Sequence, residues 1–144
     1  MTNEEIARAC AEAMWATDRA SQELGMKIEA VAPGTATLSM DVREDMANGH
    51  GMCHGGYIFT LADSAFAFAC NTYDQVTVAQ HCSVTYIRSG RVGDRLTAHA
   101  REVSRTGRSG IYDIRITNRD GEQVAEMRGH SRTLKGTLLS KGDS

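Results

Sequence analysis

NGHGMCHGGYIFTLADSAFAFAC, residues 48–70, decides how the rest of the chain must fold. A loop rich in glycine and histidine runs through Gly55-Gly56 into a stretch where Phe59, Leu61, Ala62, Phe66 and Phe68 surround one carboxylate, Asp63. A helix lying on a surface keeps a polar stripe; one that is apolar nearly all round has to be enclosed. Residues 56–70 therefore predict a buried helix, with 44–54 (Asn48, Gly49, His50, Gly51, His54) as the loop before it.

The flanking segments supply the enclosure. Downstream, 76–88, about 94–104, 110–118 and 122–133 read as strands. They are punctuated by Gly90, Gly93, Thr106-Gly107 and Asp120-Gly121, the last a strong hairpin signal. Upstream, Met26, Ile28 and Ala30 alternate, Pro33-Gly34 turns the chain, and Ala36, Leu38, Met40 and Val42 alternate again. Thr2 and Glu5 fit a capping box. Ile6, Cys10, Ala13, Met14 and Thr17 follow at helical spacing and Gly25 can stop the helix, so 3–23 predicts one N-terminal helix. The tail, 134–144, has no periodicity and reads as frayed. Strands joined by short turns pair as antiparallel neighbours. The pattern predicts a single domain over 1–144, of the α+β class: a curled antiparallel sheet wrapped around the central helix, its open side closed by curling or by a second chain.

Composition excludes several function classes. The 144 residues carry a net charge of -2 with both signs mixed, which argues against nucleic acid or an anionic membrane as partner. The start, MTNEEIARACAEAMW, lacks the basic-then-apolar form of a secretory signal, and Thr60, Asp63 and Ser64 interrupt a segment too short for a membrane span. A cytoplasmic location is expected, with Cys10, Cys53, Cys70 and Cys82 as reduced thiols. His50, Cys53, His54, His81 and Cys82 fit no closed zinc pattern. His81 and Cys82, adjacent on a strand, point to opposite faces, so no metal is expected.

The helix start and its acid carry the chemistry. Gly55 and Gly56 have no Cβ, so a ligand can approach their amides closely. The first amides of a helix lack internal acceptors and sit at the positive end of its dipole, which suits a developing oxyanion. His54 and Asn48 can donate to a carbonyl oxygen or a water. Asp63 lies eight residues beyond Gly55, roughly 12 Å along the axis. A base and an oxyanion hole for one carbonyl must lie within about 3 Å of the reacting atoms. One helix cannot bring both to one carbonyl; two chains side by side can, and a two-fold dimer then has two shared sites. The other reading of Asp63, a buried acid held by a strand or by Ser64, stays open on the residues alone.

HGGYIFTLADSAFAFAC, preceded by NGHGMC and followed by CSVTYIRSGRVGDRLTAHA and GIYDIRITNRDGEQVAEMRGHSR, resembles the hotdog-fold acyl-CoA thioesterases, in particular the PaaI type of the phenylacetate degradation pathway. The resemblance spans roughly residues 20–133. It implies a hotdog fold and hydrolysis of an acyl-CoA, with aryl-acetyl groups favoured over short or medium chains. It implies that Gly55 supplies the polarising amide, that Asp63 of the opposite subunit is nucleophile or general base, and that Asn48 and His54 orient the carbonyl or the water. Where some relatives have a serine on the strand after the helix, Ala79 stands here, beside Gln80. The resemblance also implies a dimer of dimers and no metal or organic cofactor. Gly56, Met46, Met52 and Phe66 are the substrate-contact candidates, with Tyr57 and Phe59 behind them. Arg88, Arg91, Arg95, Arg105 and Arg108 are candidates for a rim around the phosphates of CoA. The rival readings are a hydratase or dehydratase on the same fold, with His54 as base, and a non-catalytic acyl-CoA sensor.

Overall fold

A computed structural model of the chain describes residues 1–139. Its elements run α1 (Asn3–Trp15), α2 (Arg19–Glu23), β1 (Lys27–Ala32), β2 (Thr35–Asp41), α3 (Gly55–Cys70), β3 (Thr77–Tyr86), β4 (Arg95–Thr106), β5 (Ser109–Thr117) and β6 (Gln123–Thr133). One 3-10 turn, Glu44–Met46, lies in the loop before α3. The six strands form a single antiparallel sheet in the order β1-β2-β4-β5-β6-β3. The sheet is open and curls around α3, the hotdog arrangement, with α3 touching every strand.

Burial follows from the strand period. Ala36, Leu38 and Met40 of β2, Leu96, Ala98 and Ala100 of β4, Tyr112, Ile114 and Ile116 of β5, and Met127 of β6 turn inward onto Leu61, Ala62, Ala65, Phe66, Phe68 and Ala69 of α3. Phe66 packs with its ring 5.6 Å from that of Tyr112, and its ring edge lies over Gly129 of β6. At the far end of the roll, Glu102 accepts hydrogen bonds from the hydroxyls of Tyr73 (2.8 Å) and Tyr112 (3.0 Å), tying the segment after α3 to β4 and β5.

The structure corrects three expectations. The single helix over 3–23 is two: α1 stops at Trp15, and Asp18 begins α2 by accepting from the Ser21 amide at 3.0 Å. Strand β3 does not neighbour β4. It crosses to the far edge and pairs with β6, while β2 takes the place beside β4. The cause lies in α3. Asn71 at its C-terminal end accepts from Thr77 N and donates to Thr77 O, both at 2.9 Å. The chain thus turns straight into β3 beside the helix. Segment 87–94 then has to carry the chain back to the middle of the sheet. It is stitched to the loop before α3 by Cys53 N donating to Gly90 O (2.9 Å). Finally, the start of the tail is held: Leu134 N donates to Val76 O at 2.7 Å, and Leu138 and Leu139 N donate to Asp74 Oδ1 at 2.9 Å. The remainder of the predicted frayed tail, 140–144, lies outside the described residues.

A methyl group at Gly129 would fall 2.7 Å from two ring carbons of Phe66. Gly129→Ala is expected to cost about 1–3 kcal/mol by overpacking, read from urea unfolding, with Phe66→Leu in the same chain restoring part of the loss.

Candidate active site

The site is built from the loop that ends at His54 and the first turn of α3. Asn48 shapes the loop: its Oδ1 accepts from the amides of His50 (2.9 Å) and Met52 (3.2 Å), and its backbone N donates to Met52 O at 2.7 Å. With the oxygen engaged, the Asn48 side-chain NH2 is the end left to meet a ligand. His54 is the N-cap of α3, its Nδ1 accepting from Gly56 N at 3.1 Å. A neutral His54 therefore carries its proton on Nε2.

This cap separates the two glycines. The Gly56 amide is satisfied by His54, which removes it as a substrate donor. The Gly55 amide has no acceptor among the described residues. It opens onto a cavity of about 290 Å³ whose walls include Asn48, Met52, Ile58, Tyr86 and Arg88. Met52 and Arg88 also line a larger cavity of about 730 Å³ with His50, Arg91, Asn118 and Glu122, so the two adjoin along one grooved surface.

Asp63 lies elsewhere. It is half-buried on the side of α3 that faces β3, and burial raises its carboxyl above the ordinary aspartate range. It has no hydrogen-bond partner among the described residues, and Ser64 is not available to it: the Ser64 hydroxyl pairs with Ser21 of α2 at 2.8 Å. The neighbouring thiols feel its charge. Burial pushes Cys70 up to about 12. Cys82 of β3 is raised by burial and by Asp63. No wholly buried side-chain oxygen or nitrogen lacks a partner among the described residues, so the Asp63 oxygens keep some access to solvent.

The structure brings Asn48, Gly55 and Met52 to one cavity, with His54 beside them, and keeps Asp63 apart. Besides Gly56, two substrate candidates are corrected. Met46 and Phe66 are 0% and 1% exposed and belong to the core, because the 3-10 turn tucks Met46 under the sheet and Gly129 receives Phe66. Of the arginine candidates, Arg95 pairs with Asp41 at 2.9 Å and Arg105 lies 3.6 Å over the Tyr73 ring; only Arg88 and Arg91 line these cavities, and Arg88 itself donates to Gln123 O at 2.7 Å and lies 3.9 Å from Glu122. His81 stacks edge-on against His130 on the outer face, opposite Cys82. Among the described residues no group of three or more His, Cys, Asp or Glu is placed to hold a metal, and no helix is long and apolar enough to cross a membrane. Sequence reasoning missed Tyr86. It ends β3 on the inner face, and its hydroxyl donates to Gly55 O at 3.0 Å. The inward register of Cys82, Val84 and Tyr86 was its only signal.

A model of the thioesterase superfamily matches residues 50–125, which include the helix start, Asp63, strands β3 to β5 and the start of β6. The chain belongs to the thioesterase superfamily. Among members of this superfamily it is 41% identical over 131 residues to the acyl-coenzyme A thioesterase PaaI of Escherichia coli, covering 91% of this chain and 94% of that one. The solved structure of the E. coli PaaI protein, from the phenylacetic acid degradation operon, superposes with a TM-score of 0.93 at 40% identity, over 94% of this chain and 99% of that one. A Streptococcus mutans protein solved bound to acetyl CoA superposes with a TM-score of 0.74 at 26% identity, over 78% and 90% of the two chains.

The burial of Asp63 has a thermodynamic consequence. Its folded-state pKa is raised, so its contribution favours folding in the acid form, below the ordinary aspartate value, and is lost as pH rises through the raised value. Asp63→Asn is therefore expected to raise the urea midpoint at neutral pH. The gain should vanish as pH falls below about 4, the ordinary aspartate range.

Proposed function

We propose that this thioester hydrolase is an acyl-CoA thioesterase that splits aryl-acetyl-CoA into the free acid and CoA, in sites shared across a two-fold dimer. The observation that carries the reading is the Gly55 N–H, left without an acceptor at the wall of a cavity while the neighbouring Gly56 N–H is capped. The thioester oxygen accepts from Gly55 N, with the Asn48 amide and His54 Nε2–H close enough in the chain to orient the carbonyl or a water. The acid comes from the partner subunit's Asp63, because eight residues of helix keep this chain's own Asp63 about 12 Å away along the axis. The carboxylate either attacks the carbonyl carbon, expelling CoA thiolate and leaving a mixed anhydride that water opens, or takes a proton from the water that attacks. Thiolate is a good leaving group, so neither route needs a strong leaving-group acid or a metal.

The unpaired edge of β3 supports the dimer. It exposes backbone donors and acceptors together with Val78 and Tyr86, which are 42% and 48% exposed, and Ile87 just past its end is 51% exposed. Such an edge is a template for pairing with a second chain. A dimer of dimers, as the family resemblance implies, builds on the same pair. Along the groove, Arg88 and Arg91 are placed to take the phosphates of the CoA nucleotide while Met52 flanks the thioester end. The aryl-acetyl preference rests on the likeness to the E. coli PaaI protein.

A thiol-release panel of aryl-acetyl, short-chain and medium-chain CoA thioesters tests the reading. Release of CoA fastest from phenylacetyl-CoA is expected; binding without release would mark a sensor, and addition of water across an enoyl-CoA a hydratase. Asp63→Asn is expected to lower kcat by at least about a hundredfold with KM little changed. The rising limb of the wild-type kcat/KM profile should lie above the ordinary carboxylate range, as burial of the acid requires. Arg88→Ala with Arg91→Ala is expected to raise KM several-fold and flatten its dependence on salt, read by repeating the assay across ionic strengths.

A further inference from the structure

We infer that Tyr86 is a positioning residue for the reaction: it clamps the first peptide of α3 so that the Gly55 N–H stays aimed into the cavity. The inference rests on the reading of Gly55 as the oxyanion donor. Two consecutive glycines are a poor way to begin a helix, because each loses more backbone freedom on ordering than any other residue and neither has a side chain to pack. Left alone, this turn would fray, and a wandering amide stabilises a developing charge poorly. The peptide joining Gly55 to Gly56 is instead held at both ends. Its N–H, on Gly56, donates to His54 Nδ1 at 3.1 Å, and its C=O, on Gly55, accepts from the Tyr86 hydroxyl at 3.0 Å. Donation to the carbonyl also polarises this peptide and strengthens the bond to His54.

The ring adds a steric clamp. A Cβ on Gly55 would lie 3.2 Å from Tyr86 Cζ and 3.3 Å from its hydroxyl oxygen, so the hydroxyl end of the ring rests closely on the backbone and would have to give by a few tenths of an ångström to admit a methyl group. The backbone of Tyr86 is held in the sheet. Its strand is paired to β6 through Tyr86 opposite Ala125, and Asn71 fastens the other end of the strand at Thr77. Asparagine at one end of α3 and tyrosine at the other thus lock β3 alongside the helix.

Tyr86→Phe keeps the ring and removes only the bond to Gly55 O. Hydrogen exchange of the Gly56 amide, followed by NMR, is expected to quicken. Thioester hydrolysis is expected to lose about three- to tenfold in kcat, the worth of one hydrogen bond, with KM unchanged because the oxyanion forms only in the transition state. In the Gly55→Ala background, Tyr86→Ala is expected to raise activity by removing the ring that the new methyl strikes, although it impairs the wild type. Unchanged exchange in Tyr86→Phe, unchanged kcat in an active enzyme, or a rise in KM alone would overturn the inference. A parent enzyme that releases no CoA from any thioester would instead defeat the functional reading, and the exchange rate alone would then decide whether Tyr86 clamps the helix.

Discussion

A helix that is apolar on every side is a costly place for a carboxylate, and the rest of this molecule is arranged around a helix that carries one. The apolar faces of α3 force the sheet to curl, because a flat sheet would leave half of the helix in water. Asp63 forces the enclosure to stay incomplete. A carboxylate sealed into that core with no donor would neutralise itself or unfold its surroundings. The open roll reconciles the two demands: β1 to β6 bury the hydrocarbon, while the side of α3 beside β3 leaves the acid half-covered. Its ionised form is disfavoured there without being forbidden, the condition a carboxylate needs to act as base or nucleophile near neutral pH.

Helical geometry then separates the two halves of the chemistry. The donor at Gly55 and the acid at Asp63 belong to one rigid element and cannot approach each other by any motion that leaves the helix intact. In the proposed reaction this rigidity is useful: the Gly55 N–H is fixed by backbone and the acid stands on a short side chain of the same helix, and preorganised dipoles cost no reorganisation during the reaction. The requirement for a second helix follows from that rigidity, so in the proposed dimer the oligomeric state is part of the mechanism.

Much of this was legible in the sequence, and the unread parts share a physical cause. Element types came from local signals: the apolar run of α3, the alternation of Ala36, Leu38, Met40 and Val42, and the Asp120-Gly121 turn. The partners of each element did not, because pairing depends on where the chain exits an element. Asn71 sends β3 beside α3 to the far edge, and nothing in the alternation of 76–88 distinguishes that edge from a place beside β4. The cap at Asp18 that divides the N-terminal helix was a local signal, overridden by a helical period that runs through it. At the site, Gly55, His54 and Asn48 were readable because helix starts and glycine-rich loops have fixed chemistry. Met46 and Phe66 were misplaced because an apolar residue near a site looks the same in sequence whether it faces a cavity or the core. Tyr86, more than thirty residues from Gly55, meets it only through the fold.

Strand β3 joins these observations. Its inner face sets Tyr86 against the Gly55 peptide at one end of α3 and Cys82 within reach of the Asp63 charge further along. Its outer edge carries no partner strand among the described residues. In the proposed dimer, one strand therefore contacts the Gly55 peptide that serves this protomer's substrate, lies near the acid assigned to the other protomer's, and offers the edge on which a second copy would pair. Pairing along that edge would stiffen β3, and through Tyr86 and Asn71 would stiffen both ends of α3. Assembly of the dimer and alignment of the Gly55 amide then become consequences of the same contact, which explains why a long, partly apolar edge strand is kept instead of being blunted by charge or proline.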